Sequence, residues 1–481
     1  MSKNSKCRLA LLCMLAVLVT SMMNTTVYAQ SENYSVDSSG NLIPIPQTYE
    51  VKMSIKNFGE YGFLSHPEEI FIDKEGDIYI ADTGNNRVLK INKSGKVLLE
   101  IKTVCEKNLK SPKGVYIGDD GSIWIADTGN LRIAVVERDG SDRREYTKPE
   151  SSLLESNFTF DVEKIYVNKM GYIFALKGAN LLRIDCGNNF QGYMGATEVG
   201  FSFSRFLIRK FGTKEQIERT VKLAPTSYKN FMIASDGSIY GVLASGTSGQ
   251  IRRLNSVGTN TFVSQPFGYN ILKDGDKAPT TPTFSDISVF DSGIVTVIEQ
   301  RTGMIYQYDQ DGNLLTSFGG IGNSKDLFQV PVGIASDREE NLYVLDYSAG
   351  GIKVFQPTSF INTVHQAIMY HNDGHYAKEQ VCWEKVLKLD SNYSLAHKGM
   401  GKIAYKNGDY KKSMADYKLA DDVEGYSQSF ARYRHSFFRN YFGWIMFGVI
   451  GLIYAVGKLF AVVKRRSDKW CYQIEMKGEI E

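Results

Sequence analysis

The nonapeptide Ile80-Ala81-Asp82-Thr83-Gly84-Asn85-Asn86-Arg87-Val88 returns 45 residues later as Ile125-Ala126-Asp127-Thr128-Gly129-Asn130-Leu131-Arg132-Ile133. A sequence that repeats at roughly 40–50 residues, with short alternating strands inside each period, builds its fold from like units set side by side. One such unit cannot cover its own apolar faces, so each must pack on its neighbours. The expected architecture is a β-propeller with one four-stranded blade per repeat.

An apolar inner strand, a turn holding Gly or Asn and a second aromatic-rich strand recur six times. The inner strands contain Ile70-Phe71-Ile72, Val115-Tyr116-Ile117, Ile165-Tyr166-Val167, Phe231-Met232-Ile233, Ile287-Ser288-Val289 and Gly333-Ile334-Ala335. Each stretch is rich in β-branched or aromatic side chains, as half-buried strands require. Small residues such as Gly114, Gly333 and Ala335 suit strands that crowd towards an axis. Tyr49 to Asn57, ahead of the first repeat, is expected to supply the outermost strand of the sixth blade and so close the ring.

These residues resemble the NHL-repeat family, whose members have six blades, most specifically in the first, second and sixth repeats. The resemblance spans residues 49–356. Gluconolactonase and regucalcin-like lactonases share the fold. In them a divalent metal is held at the top of the channel by Glu, Asn and Asp side chains just before the inner strands. The equivalent positions here are Glu68, Lys113, Glu163, Lys229, Ser285 and Val332. Two ammonium groups and a valine are poor company for a divalent cation, so no metal and no other cofactor is expected. The rim Glu68, Lys113, Glu163, Lys229, Ser285 and Asp286 is instead read as a contact surface for a protein partner or a polar ligand such as a carbohydrate or peptide. A register shifted by one residue would bring Glu69, Asn230 and Asp286 into the channel. Under that alternative the chain is a membrane-tethered, metal-dependent lactonase.

Asp82, Arg87, Asp127 and Arg132 are read as scaffolding, since an Asp after a strand bonds turn amides and both blades repeat the pattern. No Gly-x-Ser-x-Gly elbow, His-Glu-x-x-His helix or phosphate-binding Gly loop is present. His371 and His375 flank Asp373-Gly374, which reads as a turn and not as a metal-binding helix face. Residues 200–223, between the third and fourth repeats, are patterned as a helical insertion with Thr213 and Gln216 as a capping box.

After Pro357 the apolar period changes from 2 to 3.6. Asn372-Asp373-Gly374-His375-Tyr376 matches Lys406-Asn407-Gly408-Asp409-Tyr410 at a step of 34 residues. This helix–turn–helix period resembles the tetratricopeptide family over residues 357–426, which implies protein binding or a spacer role. A juxtamembrane stretch, 427–440, leads to residues 441–463, an apolar run with the single charge Lys458. That run is long enough to cross a bilayer. Tyr441 and Trp444 suit one interface, while Lys458, Lys464, Arg465 and Arg466 suit the other and place the tail, 464–481, in the cytoplasm. At the other end, Lys3, Lys6 and Arg8, an apolar run and Val27-Tyr28-Ala29 describe a signal peptide over residues 1–29, followed by a linker, 30–48. A single-pass protein of the cell membrane, its larger part outside, is the expected arrangement. The net charge of +3 gives no reason to expect a nucleic-acid partner. Three scattered cysteines between these segments, Cys105, Cys186 and Cys382, provide no disulfide framework.

Overall fold

Short carboxylate and amide side chains start the turns that make the hairpins. Asp73 Oδ1 accepts the amides of Glu75 and Asp77, Asn168 Oδ1 those of Met170 and Tyr172, and Asp337 Oδ1 those of Glu339 and Asn341. Gly76 follows at a φ of 86°, where a side chain would be strained. In each case the side chain replaces bonds that the strand ladder cannot make around the bend. The computed structural model describes residues 32–37, 40–151, 154, 157–195, 227–268 and 282–478. The expected signal segment, 1–29, and insertion, 200–223, lie largely or wholly outside them.

Six antiparallel sheets follow one another along the chain and form a six-bladed β-propeller. The inner strands are Glu69–Ile72, Lys164–Val167 and four counterparts that begin at Gly114, Tyr228, Phe284 and Pro331. Tyr49–Ile55 pairs antiparallel with Gly351–Pro357, so the start of the chain completes the sixth blade. Tyr49 is buried there, its ring stacked 4.9 Å from Phe318. Apolar side chains fill the gaps between blades: Ile80, Leu89, Tyr343 and Leu345 between the sixth and first, and Tyr79, Val88, Ile123 and Ile125 between the first and second. Near the axis the blades approach closely. A Cβ on Gly114 would lie 2.5 Å from the Glu163 carbonyl of the third blade.

Not every blade has four strands. Asn33–Val36 and Leu42–Ile45 add to the fifth blade and make it six-stranded, whereas the fourth has three among the described residues. Side chains satisfy the backbone beside its third described strand. Asn260 Oδ1 accepts the amides of Arg253 and Phe262, and Gln250 bonds both the amide and the carbonyl of Phe267. Phe262 and Phe267 are buried.

The repeated nonapeptide has a structural task. Asp82 takes the Ser65 amide at 2.7 Å on one oxygen and Arg87 Nε at 2.7 Å on the other. Asp127 does the same with Lys110 and Arg132. The neighbouring threonines reach the next blade, Thr83 to the Pro112 carbonyl and Thr128 to that of Val162. One dipeptide therefore ties a blade to its own approach loop and to its successor.

The propeller and the helices α1 (Ser359–Asn372) and α2 (Tyr376–Leu389) belong to one compact unit. α1 is held through His365, whose Nδ1 lies 2.6 Å from Glu340 Oε2 and whose Nε2 lies 3.2 Å from Gln307 Oε1. The Gln307 amide nitrogen faces Tyr49 and Thr296, both at 3.0 Å, which fixes its orientation. On α2, the buried Glu379 takes His371 Nδ1 and Trp383 Nε1, each at 3.0 Å.

From Asn392 the chain enters a second unit. It holds α3 (Ser394–Lys406), α4 (Tyr410–Leu419) and α5 (Val423–Gly478). Tyr376 and Tyr410, 34 residues apart, each open the second helix of a hairpin, and the preceding Gly374 and Gly408 both have positive φ. Gly401 and Gly425 give room to the Tyr417 ring. α5 contains a stretch long and apolar enough to cross a membrane, none of it buried by protein. Trp444 and Phe447 are among its most exposed side chains.

One position in the repeat is strained. Asn86 and Leu131 both sit in the left-handed region, at φ 53° and 56°. Asn tolerates this conformation and Leu does not. Leu131 is 45 % exposed, so little packing is lost on replacing it. Leu131→Asn should raise the stability of the protein by about 0.5–1 kcal/mol, read as a higher denaturation midpoint.

Candidate functional site

Successive residues of a strand point to opposite faces, so each inner strand sends alternate side chains into the central channel. The residues just ahead of these strands, or at their second position in the last three blades, gather at one end, here the entry mouth. Glu68, Lys113, Glu163, Lys229, Ser285 and Val332 all line a cavity of about 290 Å³ there. Lys113 Nζ lies 3.2 Å from Glu163 Oε1 and 3.5 Å from Glu68 Oε2. Burial works against the Lys113 charge, but the two carboxylates outweigh it and hold the ammonium above its usual range. Burial also raises Glu68, with Lys113 and Lys229 pulling the other way. The mouth is thus a chain of alternating charges, half-buried and open to solvent.

Asp286 is not at that mouth. It is buried one layer down, where Lys164 Nζ lies 3.1 Å from Asp286 Oδ1 and 3.1 Å from Glu69 Oε2. The other Asp286 oxygen accepts the Ile334 amide at 2.7 Å. This cluster joins the first, third, fifth and sixth blades across the axis. Asn230, expected in the channel only under the shifted register, also lines the entry cavity, and its amide donates to the Ser285 carbonyl. The rim and the layer beneath it therefore both face the channel, at different depths. Strict alternation makes them alternatives, but register shifts interrupt it between Tyr228 and Asn230 and between Phe284 and Asp286.

Two carboxyl groups share one ammonium here, in near-complete burial. Burial pushes Glu69 up to about 8; Lys164 opposes this and the Asp286 charge adds to it. For Lys164, burial acts against the charge, yet Asp286 and Glu69 together hold it well above its ordinary range. The raised Glu69 carboxyl favours its neutral form beside the Lys164 ammonium. Among the described residues, no group of three His, Cys, Asp or Glu is placed to hold a metal ion. Around the axis, the space between Glu69 and Asp286 is taken by the Lys164 ammonium.

Beyond the cluster the channel widens towards its other end, the exit mouth, into a cavity of about 840 Å³. Glu69 and Lys164 line both cavities, so the cluster is the partition between them. Two residues on from the cluster layer stand Phe71, Tyr116, Tyr166, Met232, Ser288 and Ala335, all lining the larger cavity. Sequence reading missed this layer. The signal was the i+2 position of each inner strand, which is aromatic in the first three repeats.

The sign of the pH effect follows from the raised Glu69. A carboxyl raised in the folded state favours folding when protonated. That contribution is complete below about pH 4.5 and lost as pH rises through about 8. Stability should therefore fall between about pH 5 and pH 9 more steeply in the parent than in Glu69→Gln, as measured by denaturation midpoints. Lys164→Met leaves Asp286 buried without its cation and should cost about 3–5 kcal/mol.

Residues 109–136, in the second blade, match the family model of the NHL repeat. No curated protein matches the chain. Solved structures with a similar course include virginiamycin B lyase from Staphylococcus aureus, at 15% identity over 64% of this chain and 99% of that one, TM-score 0.39. A provisionally assigned gluconolactonase matches at 9% identity over 68% and 98%, TM-score 0.42. A protein of unknown function from Bacteroides thetaiotaomicron VPI-5482 matches at 10% identity over 69% and 91%, TM-score 0.43. None of these likenesses assigns a substrate. The chain is a six-bladed β-propeller with an NHL repeat in its second blade, followed by helices of which the last is long and apolar enough to span a membrane.

Proposed function

We propose that this chain is a single-pass protein of the cell membrane whose propeller lies outside the cytoplasm and binds a polar ligand or a protein partner without transforming it. The observation that carries the reading is Lys113, whose ammonium sits between Glu68 and Glu163 at the entry mouth. At this mouth the ammonium can donate hydrogen bonds to a carbohydrate or peptide, and the carboxylates can accept them. They are not gathered around a vacant point where a hard cation would be held. The exposed apolar face of α5 supports the anchoring, and Lys464, Arg465 and Arg466 favour a cytoplasmic tail. Removal of residues 1–29 as a signal would deliver the propeller to the outer side. The two helical hairpins, at their 34-residue step, serve in this reading as tetratricopeptide-like docking or spacer elements, and a membrane transport assembly is the partner we favour.

The competing reading is a metal-dependent lactonase tethered to the membrane. It has one observation in its favour, the channel oxygens of Glu69, Asn230 and Asp286. Against it stands the ammonium of Lys164 between two of those carboxyls. The two readings separate on the full chain in detergent or nanodiscs. Binding to a glycan or peptide array should be saturable and weaken roughly tenfold in Lys113→Ala or Lys229→Ala, as loss of a charged hydrogen bond implies. Hydrolysis of simple lactones that needs added calcium, zinc or manganese and vanishes in Glu68→Ala would overturn the binding reading.

A further inference from the structure

Repeated blades allow one position to be compared around the ring, and at one such position a charge has lost its partner. Arg183 stands on the third strand of the third blade, opposite Phe174, the second residue of the strand before it. The same place is held by Lys90 in the first blade, opposite Tyr79, and by Arg253 in the fourth, opposite Tyr240. Both of these cations are answered by the turn between the first two strands of their own blade. Lys90 Nζ lies 2.9 Å from Asp77, and Arg253 lies 2.8 Å from Asp236 and, through Nε, 3.3 Å from Ser238. In the third blade that turn reads Asn168-Lys169-Met170-Gly171-Tyr172. Met170 stands where the fourth blade has Asp236, and Tyr172 where it has Ser238.

The Arg183 guanidinium is left with the Tyr172 ring, 5.7 Å from its centroid. A ring attracts the charge but offers no oxygen to the Nε hydrogen, and Nε is buried without a hydrogen-bond partner. Arginine cannot shed its proton to escape this, and a buried donor left unmade is costly. Among the described residues Arg183 and the exposed Lys169 make no ion pair, and both line the exit-mouth cavity of about 840 Å³. The carboxylates of that lining are already engaged. Asp119 meets Lys74, Asp120 meets Arg143, Asp236 meets Arg253 and Glu75 meets Arg138, each within 3.8 Å. Asp73 accepts two turn amides and the Tyr79 hydroxyl. The unmatched charge of the cavity is therefore positive and lies on the third blade. Phe174, Met194, Met232, Ile233 and Ile239 give the same cavity an apolar wall between the third and fourth blades.

We infer that the exit-mouth cavity is a second binding site, for a small organic carboxylate. Its anionic oxygens accept from the Arg183 guanidinium, in the role that Asp77 and Asp236 play in the first and fourth blades, and its apolar part lies against Phe174, Met194 and Ile239. A cavity with an apolar wall and a few placed polar groups suits such a ligand, and a charged hydrogen bond gives it one orientation. The Lys164 cluster separates this site from the entry mouth, so it adds to the binding role proposed there.

The test uses the full chain in lipid nanodiscs, with 4-phenylbutanoate as probe and empty nanodiscs as blank. Equilibrium dialysis should give saturable, single-site binding above the blank. The alcohol of the same skeleton, 4-phenylbutan-1-ol, should bind roughly tenfold more weakly, since it forms no charge-assisted pair. Arg183→Gln should weaken the carboxylate roughly tenfold and leave the alcohol nearly unchanged. Met170→Asp restores to the third blade the carboxylate that the fourth has at Asp236. Met170 is 76 % exposed, so this change spares the core, and it should weaken the carboxylate as much as Arg183→Gln does. If Arg183→Gln does not fold, Met170→Asp decides the matter alone. Uptake no greater than the blank, or carboxylate binding that persists in Met170→Asp, would overturn the proposal.

Discussion

The ammonium of Lys164, held between Asp286 and Glu69 on the channel axis, is the interaction on which the rest of the molecule depends. A propeller ring leaves its axis as a hole, and this one is crossed by a buried ion cluster that ties alternate blades together. Such a cluster is costly to desolvate and is tolerated only when its polar atoms are satisfied. Here the Ile334 amide also bonds Asp286, and burial, with the Asp286 charge nearby, pushes the Glu69 carboxyl towards its neutral form. The result is a partition between two cavities, with a layer that holds Phe71, Tyr116 and Tyr166 next to it on the exit side.

The remaining architecture keeps the six inner strands in register about that point. The Tyr49–Ile55 strand closes the ring. The Asp-Thr pairs of the first two blades fasten each blade to its approach loop and to the next blade. Asp346 repeats half of the device in the sixth blade, taking the amides of Gln329 and Val330. Free cysteines at Cys105, Cys186 and Cys382 take no part. Stability therefore rests on apolar packing between sheets and on side chains that satisfy buried backbone groups, as expected for a large core with no covalent staple.

Much of this was legible in the sequence where one residue type performs one local task. Asp73, Asn168 and Asp337 announce their turns because a short polar side chain at that position has few other uses. Asp82 and Asp127 were readable as scaffolding because their partners lie within the same repeat or its loop. The bonds that Asn260 and Gln250 make beside the fourth blade were not readable, since they depend on contacts that no periodicity records. Asp286 was assigned to the rim when it belongs to the layer below, since the register shift between Phe284 and Asp286 leaves no mark in the sequence. The grip of His365 on Glu340 and Gln307 joins a helix to blades far away in sequence, beyond the reach of any local pattern.

The protonation state of Glu69 at neutral pH tests this account most directly. Isotope-edited infrared spectroscopy of the full chain, with carbon-13 in the glutamate side chains, would resolve a buried protonated carboxyl. At that pH the account requires one such band, absent from Glu69→Gln. Its absence from the parent protein would mean an ionised Glu69 paired with Lys164, contrary to the neutral carboxyl that the account requires.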